Sequence, residues 1–245
     1  VKIRSSIRPK ALTKVAVASA AAAGVSQVAA RATDTVMLAA ESLLPDVAPA
    51  VSAPGLSALQ KIAQGPGLGL AAGALTGLGI AFGAVWGQQL VDLSRSSLWK
   101  RIVIKPAADT YNQGIKFRQS VGEARAEESS GEAFRKGAAA GWDVGASLGR
   151  SAGTVQGGVT GAILGLEYSG EALTWLQSVI ESTPLPPLLQ QSLPLLVGGA
   201  CLFAGQAVGS AVGGAVGSVV GGGVVGLGVG TYAAVAQNRV PDEPR

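Results

Sequence analysis

Glycine recurs at every fourth position, without a miss, from Gly137 through Gly141, Gly145, Gly149, Gly153, Gly157 and Gly161 to Gly165. Residues four apart lie one above another on an α-helix, so this spacing predicts a helix with a groove of bare backbone along it. Two shorter ladders accompany it. One comprises Gly65, Gly69, Gly73 and Gly77 with a shifted set at Gly79, Gly83 and Gly87. The other comprises Gly205, Gly209, Gly213, Gly217 and Gly221, resuming at Gly226 and Gly230. A single GxxxG is common by chance, but a long run in register beside two more ladders points to helix–helix packing. Interspersed Leu, Val, Ile and Trp argue against a polyproline-type glycine bundle or a disordered segment.

Four residues turn about 400°, so each groove drifts by about 40° per step around its helix. Drift of this sense favours small-xxx-small crossings near −40°. Over the longest ladder the groove travels most of the way round, which predicts that this helix touches several neighbours and sits at the centre of its assembly. The packing residues expected from the ladders are Gly69, Gly73, Gly77 and Gly83; Gly141, Gly145, Gly149, Gly153, Gly157 and Gly161; and Gly205, Gly209, Gly213 and Gly217.

Composition selects the solvent. The chain has 36 Gly in 245 residues, 14% charged and 4% aromatic residues, and a mean hydropathy of +0.38. An average soluble domain has roughly 7% Gly and about 25% charged residues. In water a Gly/Ala core buries little area per residue and loses about 1 kcal/mol of backbone entropy per helical glycine relative to alanine. In lipid, small residues let backbones approach and pack by dispersion and Cα–H···O contacts. The expected fold class is therefore all-α: a multi-pass helical membrane protein with three glycine-zipper helices.

Along the chain, residues 1–60 form a basic, Ala-rich N-terminal region ending in a linker with Pro45, Pro49 and Pro54. Lys2, Arg4, Arg8, Lys10, Lys14 and Arg31 suit a targeting peptide or a basic tail. Residues 61–93 hold the first glycine-zipper membrane helix, with no charge from Ile62 to Val91. Residues 94–136 are a charged polar connection. Residues 137–181 form the second glycine-zipper helix, 182–194 a Pro-rich turn, and 195–245 a third such helix with a short polar tail. That last stretch is read either as one long helix or as a hairpin bent at Gly221-Gly222-Gly223. Spans near 66–91, 140–168 and 195–236 leave the basic N-terminus on the side of the Lys/Arg-free loop, against the positive-inside tendency. A crossing by residues 15–44 repairs this, and the same segment also suits the membrane interface. Three to five crossings are compatible with the pattern.

Chemistry is sparse. Gly145-Ala146-Ser147-Leu148-Gly149 and Gly149-Arg150-Ser151-Ala152-Gly153 match G-x-S-x-G, but the chain has no histidine to serve as base. Ser97-Leu98-Trp99-Lys100 lacks the companions of an S-x-x-K site, and Gly221-Gly222-Gly223-Val224-Val225-Gly226 lacks a βαβ setting. The lone cysteine, Cys201, is expected to act as a small buried hydrophobe. No catalytic residue, cofactor or metal site is expected, and the chain reads as no enzyme. Asp143 and Arg150, seven apart, are candidates for a polar contact, or else lie in turns outside the bilayer. Trp86, Trp99, Trp142 and Trp175 fall near the proposed span ends, where aromatic belts lie.

Three functions fit. The first is a structural or assembly subunit of a larger membrane complex, its ladders docking helices of other subunits in a homo- or hetero-oligomer. The second is a pore or translocation component. The layout of residues 60–170, GxxxG helices separated by a charged loop after a basic N-terminal region, resembles the Tim17/Tim22/Tim23 translocase family; the resemblance implies a translocase role and transfers no individual residue. The third is a virion protein that inserts into a host membrane at entry. A net charge of +4 favours anionic lipid headgroups as partners, with nucleic acid a partner only under the virion reading. The expected location is a membrane: an organelle inner membrane, a bacterial membrane or a virion.

Overall fold

The computed structural model describes residues 9–42, 65, 67–93, 105–180 and 186–237. They form five α-helices and, among the described residues, no strand: α1 (Pro9–Ser42), α2 (Gly67–Leu93), α3 (Lys105–Arg125), α4 (Ser130–Ile180) and α5 (Pro187–Gln237). Pro45, Pro49, Pro54, Trp99 and the Ser97–Lys100 motif lie outside the described residues.

Local chemistry sets the ends. Pro9 and Pro187 open their helices, where a missing N–H costs nothing. Ser129 precedes α4 with Glu132 in its first turn, the spacing of a capping box, and Ala133 N donates to Ser129 O at 2.9 Å. Within the charged connection residues 105–125 form α3, which ends on Arg125, a cation placed at the negative end of the helix dipole.

In the C-terminal third one expectation changes, and of the two readings left open the single long helix is the one found. Residues 182–194 are not wholly a turn: α5 starts at Pro187 and runs through Pro194. The ring at Pro194 removes one helical hydrogen bond, close enough to the N-terminus for the helix to absorb it. Nor does the chain bend at Gly221–Gly223, because α5 is one helix of 51 residues, about 76 Å long at 1.5 Å per residue. Glycine lowers helix propensity, yet along the seam with α4 its turns are held by packing against a neighbour.

Helices α4 and α5 form a long antiparallel pair, and α4 also touches α1, α2 and α3. Around its first half lies a collar: α1 runs beside α2, α2 beside α3, and α3 closes against α4 and α5. Ala22, Ile80, Val144 and Leu148 form the apolar centre, with Phe117 packed onto it. At the collar's edge Arg118 Nη1 donates to Ala84 O at 3.4 Å, and Arg125 lies over the Tyr232 ring, 5.9 Å from its centroid. The turn before α4 is pinned by an ion pair between Lys136 and Glu127 and by Gln237 Nε2 donating to Glu127 O. The hydrogen bond from Lys136 holds the Glu127 carboxyl below its usual range and, reciprocally, raises the lysine.

Three helices contain stretches long and apolar enough to cross a membrane: Lys10–Ala40, Gly67–Trp86 and Ser192–Gln237. The chain is thus a membrane protein by the length and apolarity of its helices. Helix α4 is not among the three, contrary to the expected span at 140–168, because Arg150, Thr154, Gln156, Thr160 and Glu167 dilute its apolar character. The N-terminal segment, weak by its charges, qualifies.

Candidate helix-packing interface

The longest ladder is filled from end to end by a helix of the same chain. A Cβ placed on Gly145, Gly149, Gly153, Gly157, Gly161 or Gly165 would run into the carbonyl oxygen of Gly221, Gly217, Gly213, Gly209, Gly205 or Cys201, respectively. The converse holds: a Cβ on Gly205, Gly209, Gly213, Gly217 or Gly221 meets the carbonyl of its partner on α4. For each step forward along α4 the contact moves one step back along α5. Backbones at this separation form Cα–H···O contacts, each contributing about 0.5–1 kcal/mol.

Helix α4 touches each of the other four helices, as expected, but its ladder is not what meets the collar. From Gly137 to Gly165 it faces α5 alone, apart from Thr33 of α1, whose hydroxyl comes near Gly153. The physical reason is that both helices carry the same drift. A repeat longer than the helical turn makes two helices wind about each other in the right-handed sense, so the grooves stay in contact while both rotate. Other faces of α4, carrying Val144, Leu148, Ala152 and Gln156, meet the collar. The missed step in the α5 ladder, from Gly221 to Gly226, is taken up locally. Gly141 rests on Val225 O, at 2.6 Å from a Cβ placed there, and Gly226 and Gly230 turn toward Ala138 and Phe134.

The first ladder divides between two partners. Gly69, Gly73 and Gly77 receive Ala30, Ser26 and Ala22 of α1, again one step back for each step forward, with Ala152 and Leu148 of α4 close behind. The shifted set turns to α3: Gly79 faces Thr110, and Gly83 lies on the Tyr111 backbone. The half-turn offset between the two glycine sets is what lets α2 hold α1 on one side and α3 on the other. Two elements of these seams carry no ladder signal. One is the column Ala22, Ser26 and Ala30, hidden in an alanine-rich segment. The other is Gly114, a single glycine in a charged helix, where a Cβ would strike Ile80 O and approach Ala84 N at 2.6 Å.

A fully buried polar side chain joins three segments at the crossing of α1, α2 and α4. Gln156 Nε2 donates to Asp34 Oδ1 at 2.8 Å and to Gly65 O at 3.2 Å. Its Oε1 accepts from Gly69 N at 3.4 Å. Beside it the buried Thr33 hydroxyl bonds Ala29 O at 3.0 Å and reaches Gly213 O at 3.4 Å. Sequence patterning gives no notice of Gln156, whose position is set by a ladder it does not belong to.

Asp143 and Arg150 are both exposed on α4, and no ion pair joins them to each other among the described residues. Seven residues put them on one face but two turns apart. Trp142 packs its ring over Gly222, Trp86 leans on Phe82 with centroids 4.8 Å apart, and Trp175 is exposed. Cys201 is half-exposed rather than buried, since only its backbone enters the seam. Among the described residues no three His, Cys, Asp or Glu side chains stand close enough to hold a metal ion. No protein family, curated protein or solved structure matches the chain.

Glycines outside the seams behave oppositely. Gly223 and Gly228 have open space where a Cβ would stand. Gly223→Ala and Gly228→Ala are each expected to stabilise the chain by about 0.5–1 kcal/mol, read as a raised thermal midpoint in detergent; a loss at both positions would contradict the assigned faces of α5.

Proposed function

We propose that the chain is a non-enzymatic structural or assembly subunit of a membrane complex. Its glycine-zipper seams hold its own helices together, and its outer apolar faces meet lipid and neighbouring subunits. The observation that supports this is an inverted distribution of side chains. The interior is mostly Gly, Ala, Ser and Thr, while Leu75, Phe203, Val17 and Leu227 stand outward, Leu75 at 70% exposure. Soluble domains bury their Leu, Val and Phe first, and apolar surface on this scale marks contact with lipid or protein.

The long ladders are not where other subunits dock, because α4 and α5 already fill each other's grooves. Partners are expected on the outer face of α2, where Leu68, Leu75 and Phe82 are exposed. After alkaline carbonate washing the chain should remain with the membrane. In mild detergent it should migrate well above its 24.2 kDa, and Leu75→Ser should release it from that assembly while preserving its helicity. Recovery in the carbonate supernatant contradicts the reading.

A translocation role draws on one observation, the exposed Asp143 and Arg150 on α4. Since these residues face outward, an aqueous path lined by them needs several copies. Ion conductance altered by Asp143→Asn in planar bilayers would favour it.

A further inference from the structure

Where all five helices meet, the bundle encloses a cavity of about 210 Å³, lined by Ala21 and Ala22 of α1, Ile80 of α2, Phe117 of α3, Leu148 of α4 and Val225 of α5. Alanine makes the room. Helix α1 turns Ala18, Ala21 and Ala22 toward the cavity and α2 turns Ala81 and Ala84, while Leu12, Val17 and Leu75 of the same helices stand outward. No lining side chain carries a polar group, so the space offers water none of the roughly two to four partners it needs. An apolar cavity of roughly 150 Å³ already takes up a ring the size of benzene. This one is larger and opens along one side, where Ala18 and Ala21 are exposed and Val25 and Ala84 half-exposed. Such an opening admits a flexible chain whose other end stays outside.

Position and charge identify the chain. The α1–α2 registration runs from Ala30 on Gly69 to Ala22 on Gly77. Carried onward at the same step, it sets Val15 beside Ala84 and Thr13 beside Trp86. The membrane-compatible stretches that start at Lys10 and finish at Trp86 therefore end near one level. The cavity, reaching from Gly77 to Ala84 on α2, lies about 3–14 Å inside that level at 1.5 Å per residue, within one half of a hydrocarbon layer roughly 30 Å thick. Two cations stand at its shallow end. Lys14 is exposed and shares one face of α1 with Ala18, Ala21 and Val25. Arg118, next to Phe117 on α3, is also exposed and donates through Nη1 to Ala84 O at 3.4 Å. We propose that the cavity binds one acyl chain of an anionic phospholipid from the surrounding leaflet, with the lipid phosphate at Lys14 and Arg118. The inference rests on the membrane reading of α1 and α2 and adds a specific lipid to it. The acyl chain gains dispersion contacts with the apolar lining, and the two cations pair with phosphate at headgroup level.

The test reconstitutes the full-length protein in phosphatidylcholine vesicles with a trace of phosphatidylglycerol spin-labelled near the end of one acyl chain, or with the matching phosphatidylcholine probe. Electron spin resonance is expected to show a motionally restricted component that is larger for the phosphatidylglycerol probe and that unlabelled phosphatidylglycerol displaces. Ala18→Leu/Ala21→Leu should abolish this excess. Ala20→Leu, exposed and outside the lining, should keep it. Both positions of the double variant are exposed, and circular dichroism checks that its helicity is retained. Lys14→Gln and Arg118→Gln should each weaken displacement by phosphatidylglycerol about fivefold, as for the loss of one basic side chain at an anionic membrane surface. Equal restricted components for the two probes, insensitive to Ala18→Leu/Ala21→Leu, overturn the cavity site and leave the membrane reading intact. An equal component that the double variant abolishes overturns the anionic headgroup assignment. No restricted component with either probe overturns both the site and the membrane reading of α1 and α2.

Discussion

Gly149→Ala is expected to destabilise the chain by about 3 kcal/mol or more, although alanine is the better helix former by about 1 kcal/mol. The new methyl group has nowhere to go. Its position coincides with the Gly217 carbonyl, with Gly221 Cα at 3.1 Å, and both obstacles are backbone atoms of a helix fixed at neighbouring rungs. Relief requires α4 and α5 to separate, which forfeits the Cα–H···O contacts of adjacent steps as well. Gly217→Ala should cost a similar amount, and the double variant less than the sum, because either methyl alone already forces the same separation. Thermal or denaturant melting in detergent followed by circular dichroism measures all three. A neutral or raised midpoint for Gly149→Ala contradicts the seam, and the opposite sign expected at Gly223 controls for propensity.

Gln156→Leu is the second large effect, expected at about 3 kcal/mol, since leaving a buried polar group unsatisfied costs roughly 1–3 kcal/mol each. Leucine is close in volume and fits an apolar site, so packing is largely preserved. What disappears is the amide group shared by Asp34, Gly65 O and the Gly69 amide. The loss has a local signature. Amide exchange at Gly69 and along the Ala22–Ala30 face of α1 should accelerate strongly, while the Gly149–Gly217 region of the α4–α5 seam keeps its protection. Uniform acceleration across all helices would contradict a role confined to the α1–α2–α4 crossing.

The ladders are legible in the sequence because a four-residue glycine period has few explanations on a helix, and the all-helical fold follows from it. What faces each ladder is not legible. Periodicity marks the bare side of a helix but carries no address for the partner, so the occupant of the Gly137–Gly165 groove is equally a foreign subunit or α5. The constant registration of that groove against α5, from Cys201 at one end to Val229 at the other, emerges only when both helices are seen to share one drift. The α1 column of Ala22, Ser26 and Ala30 is masked by surrounding alanines, and Gly114 by its charged helix. Gln156 is invisible because a polar residue between two ladder glycines reads as dilution until three segments converge on it. The continuity of α5 past Pro194 and Gly221–Gly223 reflects tertiary packing overriding local propensity.

Helices α4 and α5 close the long glycine groove within one chain. Spin labels at Ala162→Cys and Gln206→Cys, in the Cys201→Ser chain, test it directly, because both positions line the same groove at one level. Strong dipolar broadening is expected for this pair, and for Ala139→Cys with Gln206→Cys a separation of about 35 Å along the axis at 1.5 Å per residue. Both signals should persist when labelled protein is mixed with excess unlabelled chain. Loss of the broadening on dilution would show that the groove is filled by another copy and would contradict closure within the chain.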